Sequence, residues 1–117
     1  MVKEVGVPSL YAVPWESRST AMAGAGLIIN ASAAGMKGKS ALDIDLSNAK
    51  ESAVVYDLVY TPLETPLIKA GQAIGLSTLG GLSMLIEQAR PSFRLFYGET
   101  PPVHLDPAPL LIKELAT

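Results

Sequence analysis

Apolar and polar positions run along the chain in blocks whose period changes from block to block. Ser9-Leu10-Tyr11-Ala12-Val13 is a short β-rich run stopped by Pro14. From Trp15 to Ala23 the spacing is helical, and Gly24 and Gly26 end it. Leu27-Ile28-Ile29-Asn30-Ala31 reads as a strand buried on both faces. A loop rich in Gly, Lys, Asp and Ser follows from Gly35 to about Ser52, and then Ala53-Val54-Val55-Tyr56-Asp57 forms a second buried strand.

Thr65-Pro66 marks a helix start, because a hydroxyl N-cap is followed by proline at the first helical position. Leu67, Ala70, Gly71 and Ile74 give that helix an apolar face, and Gly75 suits the position just past its end. Leu76 to Leu79 predicts a short strand, and Gly80-Gly81 opens a longer helix that Pro91 should kink or split. A turn at Gly98 to Pro102 precedes a last short helix over Pro107 to Ala116. Strand-helix units of about 25 residues with apolar strands predict an α/β fold with a parallel sheet.

Composition narrows the chemistry. The 117 residues hold one small domain. Hydrophobic residues make up 49% and charged ones 17%, so the chain is not disordered and carries more apolar surface than one small core hides. Nine Lys and Arg against eleven Asp and Glu are spread evenly, which leaves no basic stripe for nucleic acid. The absence of cysteine removes disulfides, thiolate metal ligands and thiol catalysis. His104 is the single histidine and reads as an exposed loop residue, so no metal site and no catalytic residue is expected. The start lacks a signal-peptide pattern, and Met22 to Ile29 is too short to span a bilayer. These features predict a cytoplasmic protein with no membrane contact.

Three segments then carry a specific resemblance. They are Asn30-Ala31-Ser32-Ala33-Ala34-Gly35-Met36, the run Tyr56-Asp57-Leu58-Val59-Tyr60-Thr61-Pro62-Leu63-Glu64-Thr65-Pro66-Leu67, and Gly81-Leu82-Ser83-Met84-Leu85-Ile86-Glu87-Gln88-Ala89. In order and spacing they resemble shikimate dehydrogenase, which reduces 3-dehydroshikimate to shikimate with NADPH in aromatic amino acid biosynthesis. Phe93 to Gly98 is similar to the segment that follows in that family.

The resemblance implies a partial Rossmann-like parallel sheet of about four strands, with C-terminal helices from about residue 80. It implies that Asn30, Ala31, Ser32, Leu58, Gly81 and Met84 face NADP, and that Tyr60 and Gln88 hydrogen-bond shikimate. The family's Lys-Asp catalytic pair, its Gly-rich phosphate loop and its NADP-selecting stretch have no counterpart here. Gly24-Ala25-Gly26 is no substitute, because it precedes a strand where the fingerprint follows one. The chain therefore resembles a C-terminal part that lacks the N-terminal catalytic domain and is inactive alone. Three positions depart from the family pattern: Ala33 where it usually has Ser, Gly80 where it has Asp, and Ser83 where it has Gly.

Each residue also has a plainer structural reading. Met84 could pack in a core or interface, Tyr60 could be a turn aromatic before Pro62, and Gln88 could be solvated helix surface. Asn30-Ala31-Ser32 could be a simple strand-to-loop turn, Lys37-Gly38-Lys39 a solvated loop, and Trp15 a residue packed on the sheet. On a helical wheel, Leu82, Leu85, Ile86, Ala89, Phe93 and Phe96 form one stripe expected to be core, with Met84 and Gln88 on another beside Gly81.

A Rossmann sheet runs 3-2-1-4-5-6. By the resemblance the chain holds the equivalents of strands 3, 4, 5 and 6, which leaves a gap and makes Leu27 to Ala31 an edge strand. Strand 3 then slides in beside strand 4, a second chain fills the gap, or the chain folds poorly. The second reading of the sequence is accordingly a non-catalytic module that pairs through an exposed strand edge, as a homodimer or with a complementing chain.

Overall fold

The computed structural model describes residues 9–116. Three strands form one parallel sheet in the order β1 (Leu27–Asn30), β2 (Val54–Asp57) and β3 (Ser77–Leu79). Leu27 pairs with Val54 and Asn30 with Asp57, while Val54 pairs with Ser77 and Tyr56 with Leu79. Each crossover is a loop or a helix, as parallel pairing requires. A 3-10 turn at Trp15–Ser17 leads into α1 (Arg18–Met22) ahead of β1.

Helix α2 (Pro66–Ala73) starts at the predicted residues. The Thr65 hydroxyl accepts from the Ile68 N–H at 3.2 Å, and Pro66 occupies the first turn. Its Leu67 and Ile68 are buried, and Gly75 follows it at φ +80°, a backbone that favours glycine. Met22, Ile28, Leu46, Ala53, Val55, Leu67 and Leu76 build the core on one side of the sheet. Helix α3 (Gly81–Tyr97) follows β3, and α4 (Ala108–Leu115) ends the described chain. Among the described residues no helix is long and apolar enough to cross a membrane.

Several expectations are corrected. Ser9 to Val13 forms no strand: Leu10, Tyr11 and Val13 stay exposed, and nothing pairs with them in the sheet. Among the described residues the sheet thus has three strands rather than about four, with β1 at one edge. Strand β1 is buried on one face only, since Ile28 and Asn30 point to the core while Leu27 and Ile29 are 53% and 51% exposed. Met22 of α1 and helix α2 pack on one face, and the row Ile29, Tyr56, Leu79 lies on the other.

Of the kink or split expected at Pro91, the split does not occur: α3 runs unbroken over 17 residues. The stripe on α3 is not core: Leu82, Leu85 and Ile86 are half-buried, but Ala89, Phe93 and Phe96 are exposed. Trp15 is half-exposed, and the Arg18 guanidinium lies over its ring at 4.5 Å.

Candidate functional site

The carboxyl ends of β1 and β2 open into a cleft of about 160 Å³ lined by Ala31, Ser32, Met36, Leu58, Val59, Tyr60 and Thr61. Open parallel sheets bind ligands at this end of their strands. Two turns form the walls, residues 31–36 after β1 and residues 58–61 after β2. Backbone bonds join them: Leu58 N–H donates to the Asn30 carbonyl at 3.0 Å, and Lys37 N–H donates to the Thr61 carbonyl at 2.8 Å.

Behind the cleft lies a polar network without a cation. Asp57 is fully buried. Its Oδ1 accepts from Asn30 Nδ2 at 3.1 Å and from the Val59 N–H at 3.0 Å, and its Oδ2 accepts from the Thr65 hydroxyl at 2.6 Å. Asn30 Oδ1 accepts in turn from the Ser32 N–H at 3.0 Å and the Ser32 hydroxyl at 2.6 Å. Asn30 Nδ2 also donates to the Ala34 carbonyl at 3.0 Å, and the Ala34 N–H donates to Ser32 Oγ at 3.2 Å.

The predicted residues divide on this geometry. Ala31, Ser32, Leu58 and Tyr60 share the cleft. Asn30 is buried beneath it with its amide bonded internally, so it shapes the turn. Gly81 sits behind Leu58: a Cβ there would clash with the Leu58 carbonyl oxygen and come within 2.6 Å of the Leu58 carbonyl carbon. That close approach explains the glycine by packing alone. Met84, half-buried, and Gln88, exposed, lie further along α3 outside the cleft.

Sequence reasoning missed Met36, Val59 and Thr61 as lining and Asp57 and Thr65 as the frame. The signal for Asp57 was present in the alternation Ala53, Val55, Asp57, a row that the structure buries.

The cleft has an apolar floor with three hydroxyls and backbone groups at its rim. It contains no carboxylate, imidazole or ammonium. Its hydroxyls and backbone groups can hydrogen-bond a ligand. Its volume is about half the lower end of the usual range for small-molecule sites, roughly 300 Å³. It thus suits one ring of a dinucleotide and not the whole. Among the described residues no cluster of His, Asp and Glu could hold a metal ion.

The strands lie in one open parallel sheet with flanking helices, a Rossmann-like α/β fold. No family model matches the chain. Curated relatives do. The chain is 43% identical over 109 residues to the shikimate dehydrogenase (NADP(+)) of Azorhizobium caulinodans, covering 93% of this chain and 39% of that protein. It is 55% identical over 76 residues to the enzyme of the same name from Sphingopyxis alaskensis, covering 65% of this chain and 28% of that protein.

Solved structures agree. Quinate dehydrogenase from Corynebacterium glutamicum, in complex with NAD, matches at TM-score 0.76 and 33% identity over 97% of this chain and 38% of that one. Shikimate 5-dehydrogenase from Thermus thermophilus, in complex with NADP(H) and shikimate, matches at 0.68 and 34% over 92% and 37%. The chain belongs to the shikimate dehydrogenase family as a counterpart of one part of it, spanning less than two-fifths of the length of these relatives.

Proposed function

We propose that this chain forms the nicotinamide-side wall of an NADP-dependent shikimate dehydrogenase and does not turn over shikimate alone. The observation that carries the reading is the cleft itself. Ala31, Ser32, Leu58 and Tyr60, which the family motifs assign to cofactor and substrate, line one depression at the carboxyl ends of adjacent strands.

In this reading NADP carries the hydride exchanged with the substrate's ring carbon. Ala31 and Leu58 offer the cofactor an apolar surface that keeps water from its reactive ring. The Tyr60 hydroxyl and the Gln88 amide hydrogen-bond shikimate or 3-dehydroshikimate and fix its register. Proton transfer needs a general acid-base pair, and the cleft lining contains none. That pair and the pyrophosphate site come from a complementing polypeptide segment, and the complete enzyme works in the cytoplasm.

Two matches support the reading: the curated relatives named for NADP(+), and the Thermus complex holding NADP(H) and shikimate. The test is shikimate-dependent formation of NADPH, followed by absorbance. The chain is assayed alone and after mixing with the remaining N-terminal portion of the Azorhizobium enzyme. Turnover is expected only in the mixture. Turnover by the chain alone would overturn the requirement for a complement. An inactive mixture whose two parts nonetheless associate would overturn the dehydrogenase reading.

A further inference from the structure

We propose that Asp57 is a positioning residue whose buried carboxylate locks the two cleft-forming turns and the start of α2 into one unit. An apolar residue at the end of the inward row Ala53, Val55, Asp57 would fill this space without the cost of burying a charge. The two oxygens of the Asp57 side chain meet three donors from three directions, which an apolar residue cannot do. The donors at Asp57 are the Asn30 amide, the Val59 N–H and the Thr65 hydroxyl. They come from the end of β1, the turn after β2 and the N-cap of α2.

Through Asn30 the lock extends to Ser32 and Ala34, 25 and 23 residues away in sequence. Through Val59 it fixes the backbone next to Tyr60. Ser32 and Tyr60, on opposite walls of the cleft, are therefore set by one carboxylate and do not move independently. That the locked turns serve a dinucleotide and its substrate rests on the reading above. The lock does not depend on it.

The test uses the chain without ligand and reads amide hydrogen exchange residue by residue by NMR. Losing bonds to a buried charged group shifts a local opening equilibrium by about tenfold or more. Asp57→Ala should speed exchange at Ser32, Ala34 and Val59 by at least that factor beyond any change at the amides of β1 and β2. Asp57→Asn keeps an oxygen for Asn30 and Val59 and should restore most of the protection. Acceleration confined to residues 58–59, equal acceleration throughout the sheet, or Asn as damaging as Ala would each overturn the proposal.

Should Asp57→Ala not fold, Ser32→Ala decides from the other end. It should shift the Val59 amide resonance while leaving α3 unchanged, and a perturbation that stops at Asn30 would overturn the lock. Because neither variant is read by activity, a verified lock beside an inactive mixture would leave the lock standing and remove only the dehydrogenase reading.

Discussion

The two halves of the molecule are held together in different ways. From β1 to β3, the strands and α2 bury Ile28, Val55, Leu67, Ile68 and Leu76, and the polar groups behind the cleft are all bonded. From Gly81 onward, α3 buries only its first residue and α4 buries none. Yet both late helices are amphipathic, and Leu95, Phe96 and Leu110 are 86%, 82% and 71% exposed. The first half has a partner for each apolar face that meets α2. The second half presents apolar faces that this chain leaves open, which is more apolar surface than isolated side chains explain.

That contrast can be broken by mutation. Leu67→Ala opens a cavity in the packed half and should cost about 3 kcal/mol in urea unfolding. Gly81→Ala forces a methyl into the Leu58 carbonyl and should cost about 2 kcal/mol or more. Gly80→Ala next to it meets only the Leu63 carbonyl oxygen at 3.5 Å and serves as the control. Thr65→Ala removes both the α2 cap and the bond to Asp57, and should cost about 2 kcal/mol.

Phe96→Ala should change stability by less than about 0.5 kcal/mol in the same assay. A loss as large as that of Leu67→Ala would show the two halves to be equally packed and end the comparison. Asp45 should give the smallest effect, since it is fully exposed. The Ser47 N–H, donating at 2.9 Å, and the Ser47 hydroxyl hold its carboxyl below the ordinary value of 3.8. Folding thus favours the ionised form. That contribution is complete above the ordinary value and is lost as pH falls through the lowered one. Asp45→Asn should slightly flatten the acid limb of a plot of Tm against pH.

Local signals were legible wherever one or two residues decide the backbone. Thr65-Pro66 located the start of α2, and Gly75 located its end. Signals that depend on a distant partner were not. The β-rich run Ser9 to Val13 has strand propensity but pairs with none of the described strands, and propensity without pairing leaves coil. The α3 stripe shows that a helix has a face to cover and says nothing of what covers it.

At the site, the motif residues Ala31, Ser32, Leu58 and Tyr60 line one cleft. The frame that holds them was hidden. A carboxylate at the end of an apolar strand looks like a turn residue until its three donors are seen together.

The contact at Gly81 has a mechanical consequence. A helix of 17 residues is a rod about 25 Å long, and α3 is buried only at its first residue. Gly81 thus anchors α3 against the turn after β2, and the end of the rod farthest from that anchor carries the exposed Leu95, Phe96 and Tyr97.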